Sequence, residues 1–245
     1  PWTDRLPEIF QQRYGYDLIA RLPEIFLNCD GKAFTPARVH FHDCLTHLFV
    51  DAFGRQVGAW CAENGMAFTG HVLLEDALSD QTRVVGSAMR FYEHMQAPGM
   101  DLLTQYWRVY DTAKQVSSAA RQFGRIWRLT ETYGCTGWDF PFAGHKALGD
   151  WQVACGINLR CQHLFWYTME GEAKRDYPAS IGYQSPWWEC YPAVEDYFAR
   201  IHLAMTRGAE VRDLLVIHPI ESMWAISTRG FTGDPAVKAL DIAFG

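Results

Sequence analysis

The feature that most constrains this chain is an alternation of strand-like and helix-like runs. Ala67–Leu74 reads as a strand, ending in Glu75-Asp76, and Val84–Gln96 as a helix broken by Ala97-Pro98-Gly99. Met100–Leu103 is a very short strand, Asp111–Gly124 a helix with Asp at its start and Gly at its stop, and Arg125–Glu131 a strand. Leu148–Arg160 (helix), Cys161–Thr168 (strand) and Ala193–Arg207 (helix) continue the series. Strands separated by helices at this spacing form βαβ units and a parallel sheet. In such a sheet, side chains leave the packed layer and meet ligand at the C-terminal ends of the strands.

The flanking segments are less regular. Arg5-Leu-Pro-Glu-Ile-Phe10 recurs as Arg21-Leu-Pro-Glu-Ile-Phe26. Two copies are too few for a stacked repeat array, so each is expected to form a short helical turn with Pro early in it. Thr35-Pro36 is a helix start, and apolar residues at helical spacing run from there to Asn64-Gly65. His40, Cys44 and His47 share a face of that helix, a spacing that core or surface groups adopt as readily as metal ligands. After Arg207-Gly208, Val211–Ile217 reads as a buried strand opening a second α/β unit. The expected division is 1–207 for the main α/β domain and 208–245 for the start of the next.

The stretch Arg125-Ile-Trp-Arg-Leu-Thr-Glu131-Thr-Tyr-Gly-Cys-Thr-Gly-Trp138 carries most of the chemical information. A strand runs into a carboxylate, then a turn rich in Gly and Thr, then a Trp. A Glu that merely ends a strand and caps a helix would look the same. Cleaving a glycosidic bond takes two carboxyl groups flanking the anomeric carbon, one donating a proton and the other attacking it or activating water. Glu131 is the nucleophile candidate; Glu75 is the second carboxyl, unless it only starts a helix, and Asp101 on its short strand reads as structural. His71, Trp138, His145, Asp150, Trp166 and Tyr167 lie near the ends of successive strands as candidate sugar contacts, and Trp151 and Trp187 add aromatic faces.

Composition narrows the classes. Ten Trp and an aromatic share of 15% exceed what a core usually needs and suit stacking on pyranose rings. A net charge of −6 leaves no basic footprint for nucleic acid. No Gly-x-Gly-x-x-Gly, phosphate loop or Gly-x-Ser-x-Gly elbow occurs, and no cofactor or metal is expected. Seven cysteines without a Cys-x-x-Cys pair imply free, mostly buried thiols. No apolar run is long enough to cross a bilayer, and no membrane partner is expected.

With these features in order, the chain resembles glycoside hydrolases of clan A, specifically family 42 β-galactosidases and the related family 164 β-mannosidases. Leu129-Thr-Glu131 followed by Trp138 is similar to the strand-seven nucleophile and binding Trp of those enzymes. Ala154-Cys-Gly156-Ile-Asn-Leu, Phe165-Trp-Tyr-Thr and Glu172-Ala-Lys174 are similar to the passage through strand eight, adding Glu172 and Lys174 as substrate contacts. The resemblance implies a (β/α)8 TIM barrel of which this chain holds strands five to eight. Val211–Trp224 would then begin a flavodoxin-like domain that often serves trimerisation, and Trp2–Phe26 would be an insertion after strand four.

The implied activity is a retaining glycosidase acting on terminal β-linked hexose, β-mannoside or β-galactoside, with a glycoside as its partner and a bacterial cytoplasm or periplasm as its place. The alternatives are an inverting α-L-rhamnosidase-like enzyme and a barrel that binds carbohydrate without cleaving it. The resemblance also places the acid/base at the end of strand four, upstream of Pro1. The chain is therefore expected to be a piece of a longer polypeptide, as a first residue other than Met also suggests.

Overall fold

A computed structural model describes residues 2–32, 34–104, 109–171, 177, 181–228 and 234–244. The chain divides into two compact units, one formed by residues 64–71 and 95–211 and the other by residues 1–63, 72–94 and 212–245.

The first unit is built on four parallel strands in sequence order: β1 (Thr69–Gly70), β2 (Ala97–Leu102), β3 (Leu129–Thr132) and β4 (Leu159–Gln162). The sheet curls as half of a (β/α)8 barrel does. Helices α1 (Tyr110–Gln122), α2 (Phe142–Ala154) and α3 (Pro192–Met205) belong to the same unit. Side chains alternate between the two faces of a strand, and here the alternation is sharp. Met100, Leu102, Thr130 and Thr132 point to one face and are buried, with Ala113, Val116 and Ala120 of α1 packed in the same layer. Gln152 of α2 donates to the Thr132 hydroxyl at 3.3 Å, and Arg160 of β4 pairs with Glu195 of α3 at 2.7 Å. The other face, with Asp101 and Glu131, stays half open.

Several boundaries differ from the sequence reading, each for a physical reason. Pro98 and Gly99, expected to break the chain, lie inside β2. A Cβ on Gly99 would sit 2.5 Å from the Gly70 carbonyl oxygen and 2.9 Å from the Leu129 side chain, so this Gly permits close strand approach. The helix expected at Leu148–Arg160 is α2, six residues earlier; it starts directly after Pro141 and stops at Gly156, whose φ is +102°. The strand expected at Cys161–Thr168 is β4, which begins at Leu159 and ends at Gln162. Asn158 sets that start by accepting from the Arg128 N–H and donating to the Ile126 carbonyl, both at 2.8 Å.

The other unit is helical: α4 (Leu6–Tyr14), α5 (Leu22–Phe26), α6 (Pro36–Phe49), α7 (Gln56–Glu63), α8 (Leu78–Val84), α9 (Ala88–Tyr92), α10 (Ile220–Ile226) and α11 (Pro235–Phe244). The two Leu-Pro-Glu-Ile-Phe copies form α4 and α5, and Thr35 caps α6 through its hydroxyl. The single helix expected over Val84–Gln96 is instead the pair α8 and α9, parted at Gly86, which has φ +81°. Leu6, Phe10, Leu18, Ile25, Phe41 and Cys44 form one core cluster, and Leu78, Ile220, Met223, Trp224 and Val237 another. Val211–Ile217 is not the buried strand expected: it has no regular structure, and its apolar side chains are exposed. All seven thiols are free, and only Cys44, Cys61 and Cys155 are buried.

Gly99→Ala is expected to lower stability by about 1–3 kcal/mol, the cost of overpacking a close contact. Urea unfolding curves of the variant and the wild type measure it; an unchanged midpoint would show that β1 and β2 have room to part.

Candidate active site

Glu131 is the third residue of β3, in the row where the parallel register sets Asp101 of β2 beside it on one flank and Cys161 of β4 on the other. His71 follows the last residue of β1, and His163 follows the last residue of β4. All of these stand at the C-terminal ends of their strands on the open face. His71 Nε2 lies 3.0 Å from Glu131 Oε2 and 3.6 Å from Asp101 Oδ2. His163 Nε2 lies 3.6 Å from the other Glu131 oxygen. An ionised carboxylate only accepts, so the His71 ring nitrogen donates to it. About a quarter of the Glu131 side chain remains exposed, which leaves it reachable by a ligand.

The loops around this row are held in unusual backbone. Thr104 after β2, and Tyr133 and Cys135 after β3, have φ of +68°, +71° and +61°. Non-glycine residues adopt this region at a cost, and such positions gather at ligand sites. Thr104 N–H donates to the Gly134 carbonyl at 2.7 Å, tying the two loops together. A Cβ on Gly134 would meet the His163 ring at 3.1 Å, so the absent side chain is what lets that ring lie beside the β3 loop. The Cys161 thiol is pushed up by burial first and by the Glu131 charge second, which keeps it protonated.

His71, Asp101 and Glu131 each offer one ligand atom, and these atoms lie within 4.8 Å of one another. One imidazole and two carboxylates form a donor set that a divalent ion such as Zn²⁺ or Mn²⁺ accepts. The same geometry serves a carboxylate nucleophile whose charge and orientation are held by an imidazole donor.

The other predicted contacts scatter. Trp138 is half-buried, and its ring meets that of buried Trp166 edge-on at 5.2 Å. Tyr167 is almost fully exposed. Trp187 sets an edge against Phe142. Trp151 packs on Tyr110 and on the core of α2 and α3. Asp150 binds Lys146 one helical turn earlier and accepts from Tyr197 at 2.8 Å. His145 is wholly buried among Tyr133, Phe140 and Tyr191, with Nδ1 on the Pro141 carbonyl at 3.1 Å. Its place is in the core, because α2 starts earlier than the sequence reading had it and turns this face inward. Glu75 belongs to the helical unit, where its side chain is buried and its carbonyl accepts from Gln81. Glu172 and Lys174 lie outside the described residues.

Two residues beside Glu131 stand outside the predicted contact set: Asp101, a strand-end carboxylate that reads as structural from its short strand, and His163, which carries no local motif. Strand alternation was the available signal: His163 is two residues beyond Cys161, and Asp101 ends a strand just as Glu131 does.

No family model matches this sequence. A curated protein of Formosa agariphila, described as "Putative beta-glucuronidase", is similar to it at 26% identity over 228 residues. That alignment covers 88% of this chain and 18% of the relative, so the chain spans about a fifth of that protein's length. The likeness supports a distant glycoside hydrolase-like relation. Among the described residues, no helix is long and apolar enough to cross a membrane.

Burial pushes His145 down to about 4 from an ordinary value near 6.5. The unfolded chain therefore binds this proton at higher pH than the folded one does, and stability present above pH 6.5 is lost as pH falls toward 4. The loss is about 3 kcal/mol for this residue. Thermal melts across that window should show it, and His145→Asn, which keeps a donor for the Pro141 carbonyl, should flatten the slope.

Proposed function

We propose that the chain carries the nucleophile-bearing half of a retaining glycoside hydrolase, with Glu131 attacking the anomeric carbon of a terminal β-linked sugar. The observation behind this reading is the His71–Glu131–His163 row at the C-terminal ends of parallel strands, a carboxylate about a quarter exposed with an imidazole facing each oxygen. In the first step the Glu131 oxygen forms a bond to the anomeric carbon while the bond to the leaving oxygen breaks and that oxygen takes a proton. Water then cleaves the glycosyl ester. His71 aims the carboxylate through its 3.0 Å contact, and Trp138 is the proposed aromatic contact for the sugar.

The second carboxyl is proposed to be a group outside this chain, because Glu75, the candidate read from the sequence, is buried within the helical unit. The sugar is proposed to be a hexose in the manner of families 42 and 164, or a hexuronide, as the name of the Formosa relative implies. The reading of residues 208–245 as the opening of a flavodoxin-like, trimer-forming domain rests on the sequence alone and belongs to the same proposal.

Glu131→Ala should lower turnover of nitrophenyl β-mannoside, β-galactoside or β-glucuronide by about 10⁴-fold or more. Added azide should restore part of it and yield a glycosyl azide of inverted configuration. Turnover that survives the substitution would remove Glu131 from the role. His71→Ala should cost roughly 10- to 100-fold in kcat, the worth of a charge-assisted hydrogen bond.

The donor set of His71, Asp101 and Glu131 favours one second reading, metal-assisted hydrolysis. The two separate on chelation. Turnover unchanged by EDTA keeps the nucleophile role, whereas loss restored by Zn²⁺ or Mn²⁺ gives the three residues to a metal.

A further inference from the structure

The segment leaving β4 carries a group of rings that the chemistry at Glu131 does not use. Phe165, Tyr167, Tyr183 and Trp188 are 52%, 90%, 56% and 42% exposed. Folded proteins do not normally hold several large rings in water side by side without a use for them. Phe165, Tyr183 and Trp188 are also held in place. Phe165 lies 5.9 Å from Tyr183 and 5.8 Å from Trp188, centre to centre, with tilts of 60° and 46°.

The loop beneath them is stitched by hydrogen bonds. Tyr183 donates its hydroxyl to the Tyr167 carbonyl at 2.8 Å, and Gln184 donates to the Trp166 carbonyl at 3.0 Å. Gly182 lets the Phe165 ring lie against the backbone, since a Cβ there would come within 3.0 Å of the ring. Trp188 is backed by Tyr191, stacked at 6.3 Å with 17° between the planes, and Tyr191 is buried in the core with α3. Rings fixed in advance lose little entropy when a ligand settles on them.

The group continues into the row of strand ends. His163, which faces Glu131, meets the half-exposed Tyr177 ring edge-on at 5.9 Å. From there the same segment leads to Phe165 through the next two positions of the chain.

We propose that Phe165, Tyr167, Tyr183 and Trp188 form a stacking platform for an oligosaccharide or polysaccharide chain, binding sugar units beyond the one whose bond is cleaved. This rests on the glycosidase reading for its direction but not for its test. The ligand class follows from the ring chemistry. The patch is almost wholly aromatic, and its tyrosine hydroxyls and indole N–H supply polar edges. The C–H face of a pyranose packs on such a ring while its hydroxyls reach water and those edges. Among the described residues of this segment, the exposed large aliphatic side chains, which a protein partner's core contact would call for, are Leu164 and Met169.

The test is native gel electrophoresis of the protein through gels containing galactomannan, β-1,4-galactan or glucuronoxylan, against a gel without polysaccharide. Retardation is expected in at least one of the three. The variants Phe165→Ala/Trp188→Ala and Tyr167→Ala should weaken it roughly five- to tenfold, the worth of a lost ring contact. Circular dichroism melts matching the wild type would show that both variants fold, and Tyr167→Ala removes a side chain that packs on little.

Unretarded mobility in all three gels, or retardation unchanged in both variants, overturns the platform. Cleavage of nitrophenyl glycosides without retardation sinks the platform and leaves the glycosidase reading. Retardation without cleavage keeps the platform and sinks that reading.

Discussion

Asp101, Glu131 and Cys161 stand opposite one another in three adjacent parallel strands, and a slip of one residue in any strand would turn its side chain to the helix-covered face. The site therefore depends on register. The register is pinned from below: Asn158 bridges the approaches to β3 and β4, while Thr130 and Thr132 are wholly buried on the opposite face. Arg160 locks the helix side of β4, with its guanidinium 3.8 Å from the centre of the Phe198 ring and bonded to Glu195 and the Tyr133 hydroxyl. Breaking one partner of so buried a cation leaves an uncompensated charge, so the arrangement resists sliding.

The same division of labour sets the polarity of the site. One face of the sheet is sealed by α1, α2 and α3, so every polar group there is paired or costly. On the other face carboxylates and imidazoles remain partly exposed, within reach of a ligand. His71 sits between Asp101 and Glu131 and faces both. Bulky groups are kept out of the row: Gly99 at β2 and Gly134 after β3 let neighbouring groups approach within a distance any side chain would block.

What was legible from the residues was the parallel α/β class and the placement of a carboxylate, Glu131, near the end of a strand. The signals for both are local: strand, acid, Gly-rich turn and Trp fall within fourteen positions. What was not legible depended on partners distant in sequence. Pro98-Gly99 reads as a break by local propensity, yet β2 runs through it because Gly70 and Leu129 press against that backbone. His145 reads as a ligand contact, yet the early start of α2 buries it among rings. Val211–Ile217 has the composition of a core strand, and nothing in its own residues tells whether a sheet is there to receive it; here it lies exposed.

His163 shows how the two kinds of information combine. Its type is unremarkable in sequence, and its place is two steps past a cysteine that faces Glu131. Its N–H still donates to the Thr132 carbonyl at 2.9 Å, so the ladder continues one residue past β4 before the chain turns away. That last bond holds the imidazole level with the carboxylate instead of letting it leave with the aromatic loop. The loop's rings can then diverge into solvent without disturbing the row. A carboxylate fixed by strands and a group of rings carried by a loop can vary separately, and among the described residues His163 and Tyr177 are where the two meet.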